Sequence, residues 1–137
     1  MNKINCKTST VEKIADDTLY IDIQTKQNLS IDDYFELKQA VLKIGKGATF
    51  YHIINMGEFT VMDREARVAS CSIEGSYYKK ADAYVVHSLS QRLVIRFMLK
   101  VNKPVVPTQI FNSVEQAEKW INTIKKSRVI QEEECLQ

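Results

Sequence analysis

The side chains of this 137-residue chain best suited to chemistry are three cysteines, two histidines and two adjacent pairs of aspartates. Cys6, Cys71 and Cys135 are odd in number, far apart and contain no C-x-x-C pair. That pattern describes neither a disulfide framework nor a zinc site, and reduced thiols are expected. Cys135 is followed by only Leu136 and Gln137, which is not a prenylation box. His52 and His87 each fall in an apolar run of strand length. Both are expected to be packed, hydrogen-bonded core residues rather than metal ligands. Cys71 lies among Val68, Ala69 and Ile73 of a predicted helix, with no base beside it. A small buried hydrophobe is expected there, not a nucleophile. Asp16-Asp17 and Asp32-Asp33 stand where acids serve a turn and a helix start. No dinucleotide fingerprint, P-loop, nucleophile elbow or H-E-x-x-H pattern occurs. No catalytic residue, metal or cofactor is therefore expected.

Contact surfaces are a better prospect. The chain has 19 basic and 17 acidic side chains, a net +2, far from the excess of a nucleic-acid binder. Residues 1–60 sum to −1, residues 61–128 to +6 and residues 129–137 to −3. Within the basic part, Arg92, Arg96 and Lys100 share one face of a predicted helix, with Lys103 just beyond. Such a stripe serves as a solvated face or meets an anionic headgroup, an acidic partner or a phosphate. On the same helix Leu93, Val94, Ile95, Phe97, Met98, Leu99 and Val101 spread over about 240° of arc. A helix lying on a sheet needs little more than about 100°. Neighbouring elements, a second subunit or a ligand could cover the surplus. A homodimer contact through Leu93, Phe97 and Leu99 is one expectation. A lipid-like or other amphipathic ligand, its headgroup near Arg92, Arg96 or Lys100, is the alternative.

The elements that must position these residues are legible from periodicity. Leu19, Ile21 and Ile23 alternate with polar neighbours, and Asp16-Asp17 supplies the turn of a hairpin with Val11–Ala15. Ser30 starts a helix whose stripe is Tyr34, Leu37, Val41 and Ile44, ended by Gly45 and Gly47. Phe50–Ile54 reads as a strand covered on both faces. Thr60 is read as the cap of a second helix that buries Ala66 and Ala69 and stops at Gly75. A strand over 81–87, a third helix from Ser88 or Ser90 to about Asn102, and an extended segment between Pro104 and Phe111 follow. Ser113 and Gln116 form a capping-box pattern that opens the last helix, with Ala117, Trp120, Ile121 and Ile124 on one stripe. The expected order is ββαβαβαβα, an α/β fold of about five strands in a mixed sheet and about four helices. One domain over 1–126 and a flexible acidic tail over 127–137, with Glu132-Glu133-Glu134, complete the reading. No apolar run is long enough to span a membrane, and the first residues lack a signal-type apolar segment. A cytoplasmic protein is expected.

Several stretches resemble the bacterial SpoIIAA-like proteins, relatives of the STAS and CRAL-TRIO folds. They are Tyr51-His52-Ile53-Ile54-Asn55, Thr60 to Arg67, Ala81-Asp82-Ala83-Tyr84-Val85-Val86, Ser90 to Leu93, and Asn102-Lys103-Pro104. Most specific is Pro107-Thr108-Gln109-Ile110-Phe111-Asn112-Ser113 followed by Ala117-Glu118-Lys119-Trp120-Ile121. The resemblance implies a STAS-like fold and a non-catalytic interaction or regulatory module. Anti-anti-sigma members carry an aspartate and then a phosphorylatable serine at the start of the helix after the third strand. Asp63 matches that aspartate, while Arg64 and Glu65 stand where the serine would be. The resemblance therefore implies no phosphoswitch at that site. Thr60 is the nearby hydroxyl, and its role as a helix cap accounts for it.

Overall fold

The computed structural model describes residues 2–136. Strands β1 (Lys3–Asn5), β2 (Ser9–Ala15) and β3 (Thr18–Ile23) pair antiparallel in turn. Beyond β3 the sheet is parallel, through β5 (Phe50–Met56) and β7 (Lys79–Val85) to β8 (Thr108–Phe111). Two-residue strands β4 (Asn28–Leu29) and β6 (Val61–Met62) form a separate parallel pair. The expected mixed sheet is thus present with six strands in the order β1-β2-β3-β5-β7-β8. The strand missing from the sequence reading is β1, which has only Ile4 as an apolar residue. Its pairing with β2 creates it, not its own pattern.

Helices α1 (Ile31–Gly45), α2 (Arg64–Cys71) and α3 (Leu89–Asn102) are the crossovers between the parallel strands. They bury Val41, Ile44, Cys71, Ile95 and Met98 on one face of the sheet, against Leu19, Ile21, Ile54 and Tyr84. The opposite face carries α4 (Val114–Leu136), which presses Ala117 and Ile121 onto Tyr51, Ile53, Ala83 and Val85. Alternation along β5 and β7 supplies both faces, so these strands read as continuous apolar runs.

Local chemistry explains the boundaries. Ser30 caps α1 through a reciprocal box, its Oγ accepting from Asp33 N while Asp33 Oδ2 accepts from Ser30 N at 3.0 Å. Helix α1 ends through two left-handed residues, Lys46 and, as expected, Gly47 (φ 80°), whose N–H donates to the Leu42 carbonyl. Lys46 has a φ of 51°, and Gly45 is the last helical residue, where a Cβ would meet the Phe50 ring. Helix α2 is shorter than its pattern suggests and is capped at Asp63, not Thr60. A 3₁₀ turn over Glu74–Ser76 follows it, and a Cβ on Gly75 there would run into the Ala69 carbonyl oxygen. Ala66 is buried as expected, while Ala69 is only half-buried. Helix α3 is capped by Ser88, whose Oγ accepts from Gln91 N at 3.1 Å. At α4 the Ser113 hydroxyl accepts from Gln116 N, and Gln116 Oε1 reaches back one residue further, to Asn112 N.

Residues 127–136 of the stretch expected as a flexible acidic tail belong to α4, and position 137 lies outside the described residues. Helix α4 continues through 127–136, past the point where its apolar stripe ends, and residues 129–135 are exposed. Glutamates are good helix formers, and a helix already docked by Ala117 and Ile121 needs no new nucleus to extend.

Candidate functional site

Two arrangements stand out, one exposed and one buried. The exposed one is the outer face of α3 with the adjoining edge of α2. Leu93 and Phe97 are 53% and 68% exposed, and Leu89, Val94 and Val101 lie open beside them. Val68 extends the apolar surface onto α2. Leu99 is different. It is half-buried and packs against the core formed by Ile95 and Met98, so it does not belong to the outer face where it was expected. The reason is helical phase, since Leu99 lies four residues after buried Ile95 and so one turn along the same side. Neighbouring elements therefore cover only part of the apolar arc.

Cations border this surface. Arg96 and Lys100 are exposed, whereas Arg92 is half-buried and donates from Nη2 to Asn112 Oδ1 at 2.6 Å. Between α2 and α3 a groove is lined by Arg64, Arg67, Val94, Phe97 and Val101. Arg67 is anchored by donating to the Met62 carbonyl at 2.7 Å. Asp63, Arg64 and Glu65 are all exposed at the start of α2. Thr60 is buried: its hydroxyl donates to the Gln24 carbonyl and accepts from Gln27 N, tying two loops together. That bond pair, not a helix cap, accounts for the threonine.

The buried arrangement lies under α1, on the same sheet face. Parallel register places His52 of β5 directly beside Asp82 of β7. Lys79, three residues earlier and across a break in the β5–β7 register, bonds Asp82 Oδ2 at 2.6 Å and the Ser70 carbonyl at 3.0 Å. Both partners of this ion pair are nearly inaccessible. His52 Nδ1 is 3.7 Å from Asp82 Oδ1, too far for a hydrogen bond. Burial pushes the His52 pKa down to about 4; Asp82 opposes that shift and Lys79 adds to it. Desolvation wins, so the ring is neutral at pH 7 and the contact with Asp82 is not an ion pair there. Burial also raises Tyr34 to about 12, with Asp82 a second cause, and raises the Cys71 thiol, which makes Cys71 an inert core thiol. His52 Nε2 and Asp82 Oδ1 are buried without a hydrogen-bond partner. His52 is thus packed as expected, but it is not satisfied.

His87 departs from expectation. It lies beyond the end of β7, exposed, with Nε2 2.7 Å from Asn55 Oδ1. Asn55 Nδ2 in turn donates to Asp22 Oδ1 at 2.9 Å. The chain joins three strand ends at the sheet's carboxyl edge.

The domain of unknown function DUF7793 matches residues 13–125. This chain belongs to that family. The DUF7793 match begins within β2 and ends within α4, so it takes in α3 and the buried cluster but not the acidic end of α4. Among solved structures, the chain is similar to an uncharacterized protein of the DUF3478 family from Shewanella loihica PV-4 with a SpoIIAA-like fold. The two align at a TM-score of 0.58 and 14% identity, over 82% of this chain and 90% of that one. At that identity the likeness shows the fold, and the fold of this chain is SpoIIAA-like. No curated protein matches the chain. No helix among the described residues is long and apolar enough to cross a membrane.

Proposed function

We propose that the protein is a non-catalytic, cytoplasmic STAS-like interaction module that self-associates through the outer face of α3. The observation that supports this reading is the uncovered apolar strip of Leu89, Leu93, Phe97 and Val101 beside Arg96 and Lys100. An apolar strip with a cationic edge is complemented by an apolar surface with an acidic edge. The chain carries one. On the last turns of α4, exposed Val129 and Ile130 lie four residues before Glu133 and Glu134. Helix α4 occupies the sheet face opposite α3. Its acidic end is a surface for the α3 of a second copy, and a two-fold dimer makes that contact twice, α4 of each copy on α3 of the other.

Charge exchange tests it. Arg96→Glu with Lys100→Glu is expected to weaken association about tenfold at low salt, as is Glu133→Lys with Glu134→Lys. Combining all four substitutions is expected to restore it, read by sedimentation equilibrium. No recovery in the combined variant would overturn the pairing. A monomer that copurifies with an amphipathic molecule would instead place a headgroup near Arg96, Lys100 or the neighbouring Arg92.

A further inference from the structure

We propose that the cavity under α1 is a binding site for an uncharged, mainly apolar molecule that enters with a single hydroxyl group foremost. The cavity measures about 80 Å³ and lies between α1 and the sheet, with Ile21, Leu37, Val41 and Ile54 on its walls. Its inner end is polar. His52 and Asp82 line it, only 7% and 2% exposed, and each holds a buried polar atom without a partner. A buried polar atom without a partner is costly, and two on neighbouring strands facing one apolar space call for a group that satisfies them together.

The chemistry of those atoms selects the ligand. Asp82 Oδ1 accepts only, so the ligand must bring a donor. With its proton on Nε2, His52 donates, and a single hydroxyl then accepts from the imidazole while donating to Asp82 Oδ1. Lys79 already balances the charge of Asp82 at 2.6 Å, and the imidazole is neutral. A charged group pressed against His52 and Asp82 would therefore be buried without a free counter-ion, and of the other charged residues lining the cavity, Asp33 and Lys38 of α1, Lys38 already donates to the Glu74 carbonyl at 2.6 Å. The outer part of the cavity is edged by Tyr77 and Tyr78, packed edge to face with ring centres 6.4 Å apart. Both rings are exposed, and Tyr78 has a φ of 71°, a strained conformation for an aromatic residue. The enclosed volume holds only a few heavy atoms, so the remainder of the ligand would run outward along these two rings.

Isosteric probes test this on the unmodified protein. We expect 1-hexanol to bind saturably and to move the His52 ring nitrogen resonances. The ether 1-methoxypentane, equal in size but without a donor, and hexanoate, which is charged, are expected to bind at least tenfold more weakly. Leu37→Trp, which fills the cavity, is expected to abolish hexanol binding. Equal binding of alcohol and ether would overturn the proposal by showing an apolar crevice only. Tighter binding of hexanoate would overturn the charge argument. A lack of saturable binding by hexanol, with ordered water bridging His52 and Asp82 in a crystal structure, would overturn the site itself. The probe comparison stands even if the tryptophan variant fails to fold.

Discussion

Replacing Lys79 with methionine is expected to destabilise the protein by about 3–5 kcal/mol, the range for breaking one side of a buried ion pair. Methionine keeps the apolar stem but removes two interactions at once, the 2.6 Å bond to Asp82 and the 3.0 Å bond to the Ser70 carbonyl. Asp82 is 2% exposed and its Oδ1 already lacks a partner, so its charge would be left with no compensation. Urea unfolding at pH 7.5 measures the loss. The pair Lys79→Met with Asp82→Leu is expected to recover most of it, because two apolar groups in place of both charges leave nothing uncompensated except the Ser70 carbonyl. If the single variant were as stable as the wild type, the ion pair would not be buried as described.

The second large effect is a pH dependence. The His52 pKa is about 4 in the folded chain against 6.5 as the ordinary value. Between these values the unfolded chain binds the proton and the folded one does not. The stability from this residue is therefore complete above about pH 6.5 and is lost as pH falls to about 4, amounting to about 3 kcal/mol in all. The groups facing the ring are Asp82 and Lys79, both held in the 2.6 Å pair. His52→Phe keeps a flat ring and removes the titration, and is expected to flatten the stability profile in that window. An equally steep profile in the variant would assign the dependence to another group.

How much of this could be read in the sequence depended on whether the cause was local. Ser30 with Asp33, and Ser88 with Gln91, are caps whose partners lie three residues apart, so the starts of α1 and α3 were legible. The parallel core was legible because Phe50–Ile54 and Ala81–Val86 must be apolar on both sides. Thr60 was misread because its two partners, Gln24 and Gln27, lie more than thirty residues away. Strand β1 and the extension of α4 owe their form to elements already folded beside them. The exposed α3 strip was foreseen from its excess apolar arc, although phase alone did not separate Leu99 from Leu93 and Phe97. The buried cluster was missed as a cluster. Its one signal is Asp82 itself, an acid in the middle of an apolar strand run, and only the register of β5 with β7 shows that it meets His52.

The contact of α4 with the α3 of a second copy is tested most directly by covalent capture. Cys135 is exposed at the acidic end of α4, whereas Cys71 is buried and Cys6 half-buried. A Leu93→Cys variant treated with a short bis-maleimide at low salt is expected to yield a crosslinked dimer whose bridging peptide joins position 93 of one copy to Cys135 of another. Salt should suppress the product by screening the charges that align the two surfaces. Crosslinks joining position 93 to position 93, or no crosslinked dimer at concentrations where the protein associates, would contradict the pairing of α4 with α3.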